Sequence, residues 1–313
     1  MTASKKSRPA GPPRPSVRDV TRKIWKDRIS YLFVAPYVVL FMVFTVAPVV
    51  IAIVFSFTNF NILEPPQYAG LGNYARLFME DDIFLLSLKN TLIFAVITGP
   101  VSYILCFIVA WFINELSPKI RAVVTLIFYA PSISGNLFFI WSVIFSGDSY
   151  GYANGVLLKL GLISEPIQFF TNTNYMLPLC VIIVLWMSLG VSFLAFIAGF
   201  QGLDKSLFEA GAVDGIKNRW QELYYITLPS MKSQLRFSAV MSITASFGIG
   251  QTLDGLVGFP STEYATHTVM NHLIDYGTIR FEMGYACAIA TLLFIVMVAS
   301  NLVVKRIISK VGE

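Results

Sequence analysis

QGLDKSLFEAGAVDGIKNRWQELYYITLPSM, residues 201–231, lies between two long apolar runs, Tyr175–Phe200 and Phe237–Leu253. Its charges, Asp204, Lys205, Glu209, Asp214, Lys217, Arg219 and Glu222, are spread along its length. Both flanking runs read as membrane spans, so the segment must stand in water, held at both ends. A polar stretch of this length that still reads as helix, turn, helix is more than a connection. It reads as a docking element.

The whole chain supports a membrane setting. Of 313 residues, 56% are hydrophobic and 13% charged, against roughly 25% charged in soluble domains. A span needs about 20 apolar residues to cross ~30 Å of hydrocarbon. Uncharged runs long enough lie between Arg28 and Glu64, Lys89 and Glu115, Arg121 and Asp148, Glu165 and Asp204, and Glu282 and Lys305. The run between Arg236 and Asp254 has 17 residues, at the short limit. The expectation is an all-α integral membrane protein with six spans, near 30–57, 90–114, 122–146, 175–200, 237–253 and 283–304. A basic tail precedes them over residues 1–28, and a short tail follows over 306–313.

Lys and Arg are retained on the cytoplasmic side. With the N-terminus inside, the inner segments hold 19 of the 23 Lys and Arg, and the outer ones hold four: Arg76, Lys89, Lys159 and Arg280. Both termini and the 201–231 segment are therefore expected in the cytoplasm. The first apolar run is too long for a signal peptide and lacks a small-residue cleavage site. The basic residues bracket spans and form no stripe with interleaved aromatics, which argues against nucleic acid as a partner.

None of the six spans contains Asp, Glu, Lys, Arg or His. Ion-coupled carriers keep such a group at mid-membrane, so the energy for transport must enter elsewhere. The chain also has no GxxxxGK[ST] sequence, so ATP is not bound here by that route. Cys106, Cys180 and Cys287 read as small buried hydrophobes. His267 and His272 fit no metal-ligand spacing and read as solvated loop residues. Neither a metal centre nor a nucleophile–base pair can be assembled, so a membrane enzyme is disfavoured.

Within the docking element, Asp204 is placed as an N-cap and Asp214-Gly215 as a helix stop, with Gly215 left-handed. Small residues at 210–212 permit close approach to another surface. Pro229 fits the first turn of the following span.

These residues carry a resemblance. Glu209-Ala210-Gly211-Ala212-Val213-Asp214-Gly215, followed by Ile226-Thr227-Leu228-Pro229, is similar to the EAA motif of binding-protein-dependent ABC importer permeases. Gly211 departs from that motif's second Ala, a swap that preserves close approach and weakens the helix by about 1 kcal/mol. Gly70-Leu71-Gly72-Asn73-Tyr74, Lys89-Asn90-Thr91-Leu92, Ala130-Pro131 and Met283-Gly284-Tyr285-Ala286 resemble segments of the carbohydrate-uptake branch.

The resemblance implies a non-enzymatic transport subunit of the bacterial or archaeal cytoplasmic membrane. It implies a coupling helix between Leu203 and Gly215, with Glu209 in contact with a cytoplasmic ATP-binding subunit. Two copies of that subunit would carry ATP and Mg, and this chain no cofactor. A second permease chain, a different one with a second copy of this chain as the alternative, would complete the pore, and an extracytoplasmic solute-binding protein would deliver a sugar or oligosaccharide. Glycerol phosphate is the alternative solute within the family, and an autonomous channel or carrier the alternative outside it. Phe247 and Gln251 in the fifth span, and Trp186, Phe193 and Phe196 in the fourth, are candidate pathway residues, each with helix packing as its alternative.

Overall fold

A computed structural model describes residues 28–135 and 137–309. The basic tail, apart from Arg28, and residues 310–313 lie outside the described residues. The chain forms two compact units, one ending at Ala52 and one beginning at Ile53. Helix α1 (Arg28–Phe55) is apolar on every face, and none of its residues up to Phe55 is buried. A helix without a polar face has its stable place in hydrocarbon or against another apolar surface. Its ladder widens to a π turn over Met42–Val46. Pro48, which has no N–H for the Phe44 carbonyl, supplies a reason for that widening.

The second unit is built on α3 (Asp82–Asn114), a 33-residue helix about 50 Å long at 1.5 Å per residue. It is preceded by a two-stranded hairpin, β1 (Thr58–Asn59) antiparallel to β2 (Gln67–Tyr68), and by α2 (Gly72–Met79). Then follow α4 (Pro118–Ile133), α5 (Phe138–Ile144), α6 (Tyr152–Lys159), α7 (Thr173–Met187) and α8 (Val191–Gln201). The docking element contributes α9 (Lys205–Val213) and α10 (Arg219–Glu222). The chain closes with α11 (Lys232–Phe247), α12 (Gly250–Val257), α13 (Val269–Ile274) and α14 (Met283–Ser309).

Helices α3, α8 and α11 pack on one another, and α11 also packs on α14. Between helices in lipid, close approach and hydrogen bonds replace the hydrophobic drive. Here the Ser192 hydroxyl donates to the Ser238 carbonyl (3.0 Å), and the Ser238 hydroxyl returns a bond to the Ser192 carbonyl (3.2 Å). The Ser242 hydroxyl donates to Ser192 Oγ at 3.0 Å, which locks α8 to α11.

By length and composition four described helices can cross a membrane: Arg28–Phe55, Asp82–Asn114, Thr173–Gln201 and Met283–Ile308. The α4–α5 pair, bent by 85°, makes a fifth if it is one span. The expected fifth span, 237–253, is corrected. It is interrupted at Gly248-Ile249, and the helix before the break begins earlier, at Lys232. The second span likewise starts at Asp82, eight residues before its expected limit, because Asp81 caps it there.

Asp81 is the hub of the hairpin end of the unit. Its Oδ1 accepts from the Phe84 N–H (2.8 Å), and its Oδ2 accepts from the Tyr285 hydroxyl (2.7 Å) and meets His272 Nε2 at 2.9 Å. One carboxylate thus joins the starts of α3 and α14 to α13. Beside it Arg76 pairs with Glu282 and lies over the Tyr285 ring at 4.2 Å.

The expectation that His267 and His272 are solvated is wrong: they are 3% and 1% exposed. After α12 the chain doubles back and α13 packs on α3 and α14. The two imidazoles meet edge to face at 5.7 Å, with Phe84, Tyr264 and Tyr276 around them. The cysteines fare closer to expectation: Cys106 and Cys180 are buried, and Cys287 is half-buried.

Burial lowers the His267 imidazole to about 4, helped by the neighbouring His272, and burial lowers His272 as well. Burial pushes the Asp81 carboxyl up, but its hydrogen bonds from Tyr285 and Phe84, with His272, outweigh this and hold it below its ordinary value. Below about pH 6.5 the unfolded chain therefore binds protons that the folded imidazoles refuse. Below about pH 4 the same holds for Asp81. Both signs agree, so thermal unfolding of the purified chain is expected to shift to lower temperature as pH falls from 7 towards 4, and His267→Phe to flatten the upper part of that fall. Asp81→Ala leaves the buried Tyr285 hydroxyl and His272 Nε2 without their carboxylate partner and is expected to cost about 2–3 kcal/mol, measurable by the same unfolding at pH 7.

Candidate functional site

Two features at different depths make up the site. The first is the docking element. Asp204 starts α9, its Oδ1 accepting from the Ser206 N–H at 2.9 Å. The Ser206 backbone and hydroxyl hold this carboxyl below its ordinary value. At the other end the Ile216 N–H reaches the Gly211 carbonyl (2.9 Å) and the Gly215 N–H reaches that of Ala212 (3.3 Å). This is a Schellman closure, which needs a left-handed residue at its turn. Gly215 provides it with φ of +92°.

Gly211 is buried, and a Cβ there would lie 2.7 Å from Ile226 Cδ1 and 3.0 Å from Ile216 Cδ1. The departure from alanine therefore lets Ile226 seat against the helix, so α9 closely approaches its own return segment. That segment runs through α10, a π turn over Leu223–Thr227, and a short turn at Leu228–Ser230. Pro229 lies in this turn and not in α11, a correction to its expected place in the next span: Met231 separates the two. Leu228 packs against the core formed by α3 and α8. Glu209 and Asp214 are exposed, as are Ala210 and Val213, and Glu209 makes no ion pair among the described residues. The face of α9 turned away from the protein is thus open.

The second feature is a cavity of about 280 Å³ among α3, α4, α7 and α11. Each of the three broken helix pairs sends the residues of its break into it. Gly135 comes from the α4–α5 break, Ser188 from the α7–α8 break, and Gly248 and Ile249 from the α11–α12 break. Backbone freed from a helix at membrane depth is tolerated only inside protein or against an aqueous cavity. Thr98, Ser102, Ser132, Ser188, Ser242, Ser246 and Thr252 line it, and no lining residue carries a charge.

Most of these hydroxyls already spend their proton. Thr98 donates to the Phe94 carbonyl (2.7 Å), Ser188 to Leu185 (2.6 Å), and Ser246 to Ile243 (2.7 Å). A hydroxyl has one proton and two lone pairs. Such a wall accepts hydrogen bonds from a guest rich in O–H donors, and it offers an anion no countercharge.

The pathway residues named from sequence do not come together. Phe193 and Phe196 are fully buried against α3, and Phe196 packs edge-on with Tyr103 and Phe107. Phe247 faces an apolar groove between α3, α11 and α14. Trp186 meets Trp141 edge-on at 5.3 Å. Gln251 is exposed on α12, one residue from the cavity-lining Thr252. The serines of the fifth span supply both packing and cavity wall: Ser238 and Ser242 bond to Ser192 of α8, and Ser242 and Ser246 line the cavity. Ser188, Thr98 and Ser102 escaped notice because single hydroxyls in an apolar run mark no face.

No protein-family model matches the chain. Among known proteins, it is 30% identical over 292 residues to the probable ABC transporter permease protein YesP of Bacillus subtilis, covering 88% of this chain and 89% of that one. It is 30% identical over 280 residues to the arabinooligosaccharides transport system permease protein AraP of the same species, covering 89% and 88%. Its fold matches a chain of a bacterial alginate ABC transporter, solved in complex with an alginate pentasaccharide-bound periplasmic protein. That match has a TM-score of 0.75 over 93% of this chain and 99% of that one, at 22% identity. With its membrane-length apolar helices, its broken spans around a cavity and its capped docking element, the chain belongs to the permease proteins of ABC transporters.

Proposed function

We propose that this permease is one membrane half of an importer that moves a neutral sugar or oligosaccharide. The observation that carries the reading is the convergence of three helix breaks on one uncharged, hydroxyl-walled cavity. A sugar brings a dense set of O–H donors, and the wall is rich in acceptors. The solutes of relatives such as AraP point to the same class. Glycerol phosphate, the alternative, would call for a cation, and the cavity lining has none.

In this account six spans cross the cytoplasmic membrane of a bacterium or archaeon, with both termini and residues 201–231 inside. The 19-to-4 partition of Lys and Arg supports that orientation. Two cytoplasmic ATP-binding subunits hold ATP and Mg, and one of them receives the open face of α9. Glu209, Ala210, Gly211, Asp214, Gly215, Leu228 and Pro229 form the coupling segment. Glu209 supplies the charged contact, Gly211 seats the helix on Ile226, and Gly215 fixes where it stops. A second, different permease chain completes the pore, and an extracytoplasmic binding protein delivers the sugar.

The test is ATP-driven uptake of a labelled neutral oligosaccharide by the purified complex in proteoliposomes, with and without its binding protein. Uptake that requires both ATP and binding protein supports the reading; facilitated uptake without ATP contradicts it. Glu209→Lys is expected to lower substrate-stimulated ATP hydrolysis and uptake together by at least about tenfold, since a desolvated charge contact is worth ~2 kcal/mol or more. Full activity in that variant would remove Glu209 from the contact. Gly215→Val forces a β-branched residue to positive φ at a cost of about 1–2 kcal/mol and is expected to lower uptake, while Gly215→Asn, which tolerates that conformation, is expected to be milder. Thr252→Trp fills the cavity and is expected to block uptake while leaving complex assembly intact by co-purification.

A further inference from the structure

Most residues of the coupling helix α9 are exposed. Its main contact is with the π turn at Leu223–Thr227. A cleft of about 330 Å³, lined by Trp111, Glu115, Phe208 and Arg219 among others, opens between the docking element and the end of α3. A displacement of α9 therefore needs a bridge to reach the cavity.

Such a bridge lies in α10. Asn218 starts it, its Oδ1 accepting from the Gln221 N–H at 2.8 Å. Arg219 then spans two carboxylates. Its Nη2 donates to Glu115 Oε2 and its Nη1 to Glu222 Oε2, both at 2.8 Å. Glu222 belongs to α10 itself, while Glu115 is the residue that ends α3. One residue on, Trp220 meets Trp111 of α3 edge to face at 5.1 Å, and Trp111 stacks in turn on Phe112. The guanidinium fixes register and the rings supply lateral contact.

The path is continuous. Gly211 of α9 is in contact with Ile226, the segment from Arg219 to Ile226 is one hydrogen-bonded stretch, and Arg219 and Trp220 grip the end of α3. Helix α3 then carries Thr98 and Ser102 into the cavity wall. A helix of this length is stiff along its axis, so a pull on Glu115 moves both hydroxyls.

We propose that Arg219, clamped between Glu115 and Glu222 and flanked by Trp220 on Trp111, is a positioning residue that transmits docking-element motion to α3. The proposal rests on the importer reading above. The Arg219–Glu115 pair is solvent-accessible, 63% and 44% exposed, and such pairs add little to stability. Breaking it therefore leaves the fold standing and shows in coupling instead.

The experiment measures sugar taken up per ATP hydrolysed by the complete complex in proteoliposomes, with binding protein, for Glu115→Arg, Arg219→Glu and the double reversal. Each single reversal is expected to lower that ratio about tenfold, with assembly and basal ATP hydrolysis retained. The double reversal, which again sets one guanidinium among carboxylates, is expected to restore it to within about twofold, the signature of a direct pairwise interaction. Single reversals that keep the wild-type ratio, or a double reversal as poor as the singles, overturn the proposal. If a reversal prevents assembly, Glu115→Gln decides: a lowered ratio supports the clamp and an unchanged one overturns it. A wild-type complex with no ATP-driven uptake sinks the importer reading and this proposal with it. A complex that imports normally with every reversal in place sinks the proposal alone.

Discussion

Backbone N–H and C=O groups cannot be left bare in hydrocarbon, where each costs several kcal/mol. That constraint governs where this chain can depart from helix. Its helices break after Ile133, Met187 and Phe247, on three separate stretches, yet each break sends residues to one cavity. Hydroxyls reinforce the last helical turns before two of the breaks. The Ser188 hydroxyl bonds the Leu185 carbonyl beside its own break, and Ser246 bonds Ile243 two residues before Gly248. The same hydroxyls make the cavity wall polar.

Helix α3 links the two ends of this arrangement. At its start the Asp81 carboxylate binds it to α13 and α14, and at its finish Glu115 and Trp111 meet the docking element. Between them it packs on α8 and α11 and supplies two hydroxyls to the cavity. The ends differ in kind. The Asp81 carboxylate is buried and held by three partners, whereas the Arg219 contact is exposed.

Much of this was legible in the sequence, for identifiable reasons. Charge-free runs located the four described helices long enough to cross a membrane because a charge at mid-bilayer is costly, and the α9 caps were readable because Asp204 and Gly215 act locally. Facing was legible only in part. In the run 237–253, Ser238, Ser242 and Ser246 recur every four residues and mark one helix face, but nothing in the run says that this face is shared between the α8 contact and a cavity. The cavity itself joins breaks far apart in the chain. His267 and His272 were misjudged because a polar loop after a span reads as solvated, whereas Thr268 and Asn271 form a capping box that starts α13 and folds the imidazoles inward. Gly211 was seen as a weakened alanine, and its meaning lay in Ile226, fifteen positions on.

On the importer reading, closure of the ATP-binding subunits would move α9 and open the hydroxyl cavity to one side of the membrane at a time. The direct measurement is the accessibility of a cysteine placed at Thr252, in a complex whose Cys106, Cys180 and Cys287 are replaced, to a membrane-impermeant thiol reagent added from either side. The account predicts labelling from the cytoplasmic side without nucleotide and from the opposite side once the ATPases are trapped closed. Labelling from the same side in both states would contradict it.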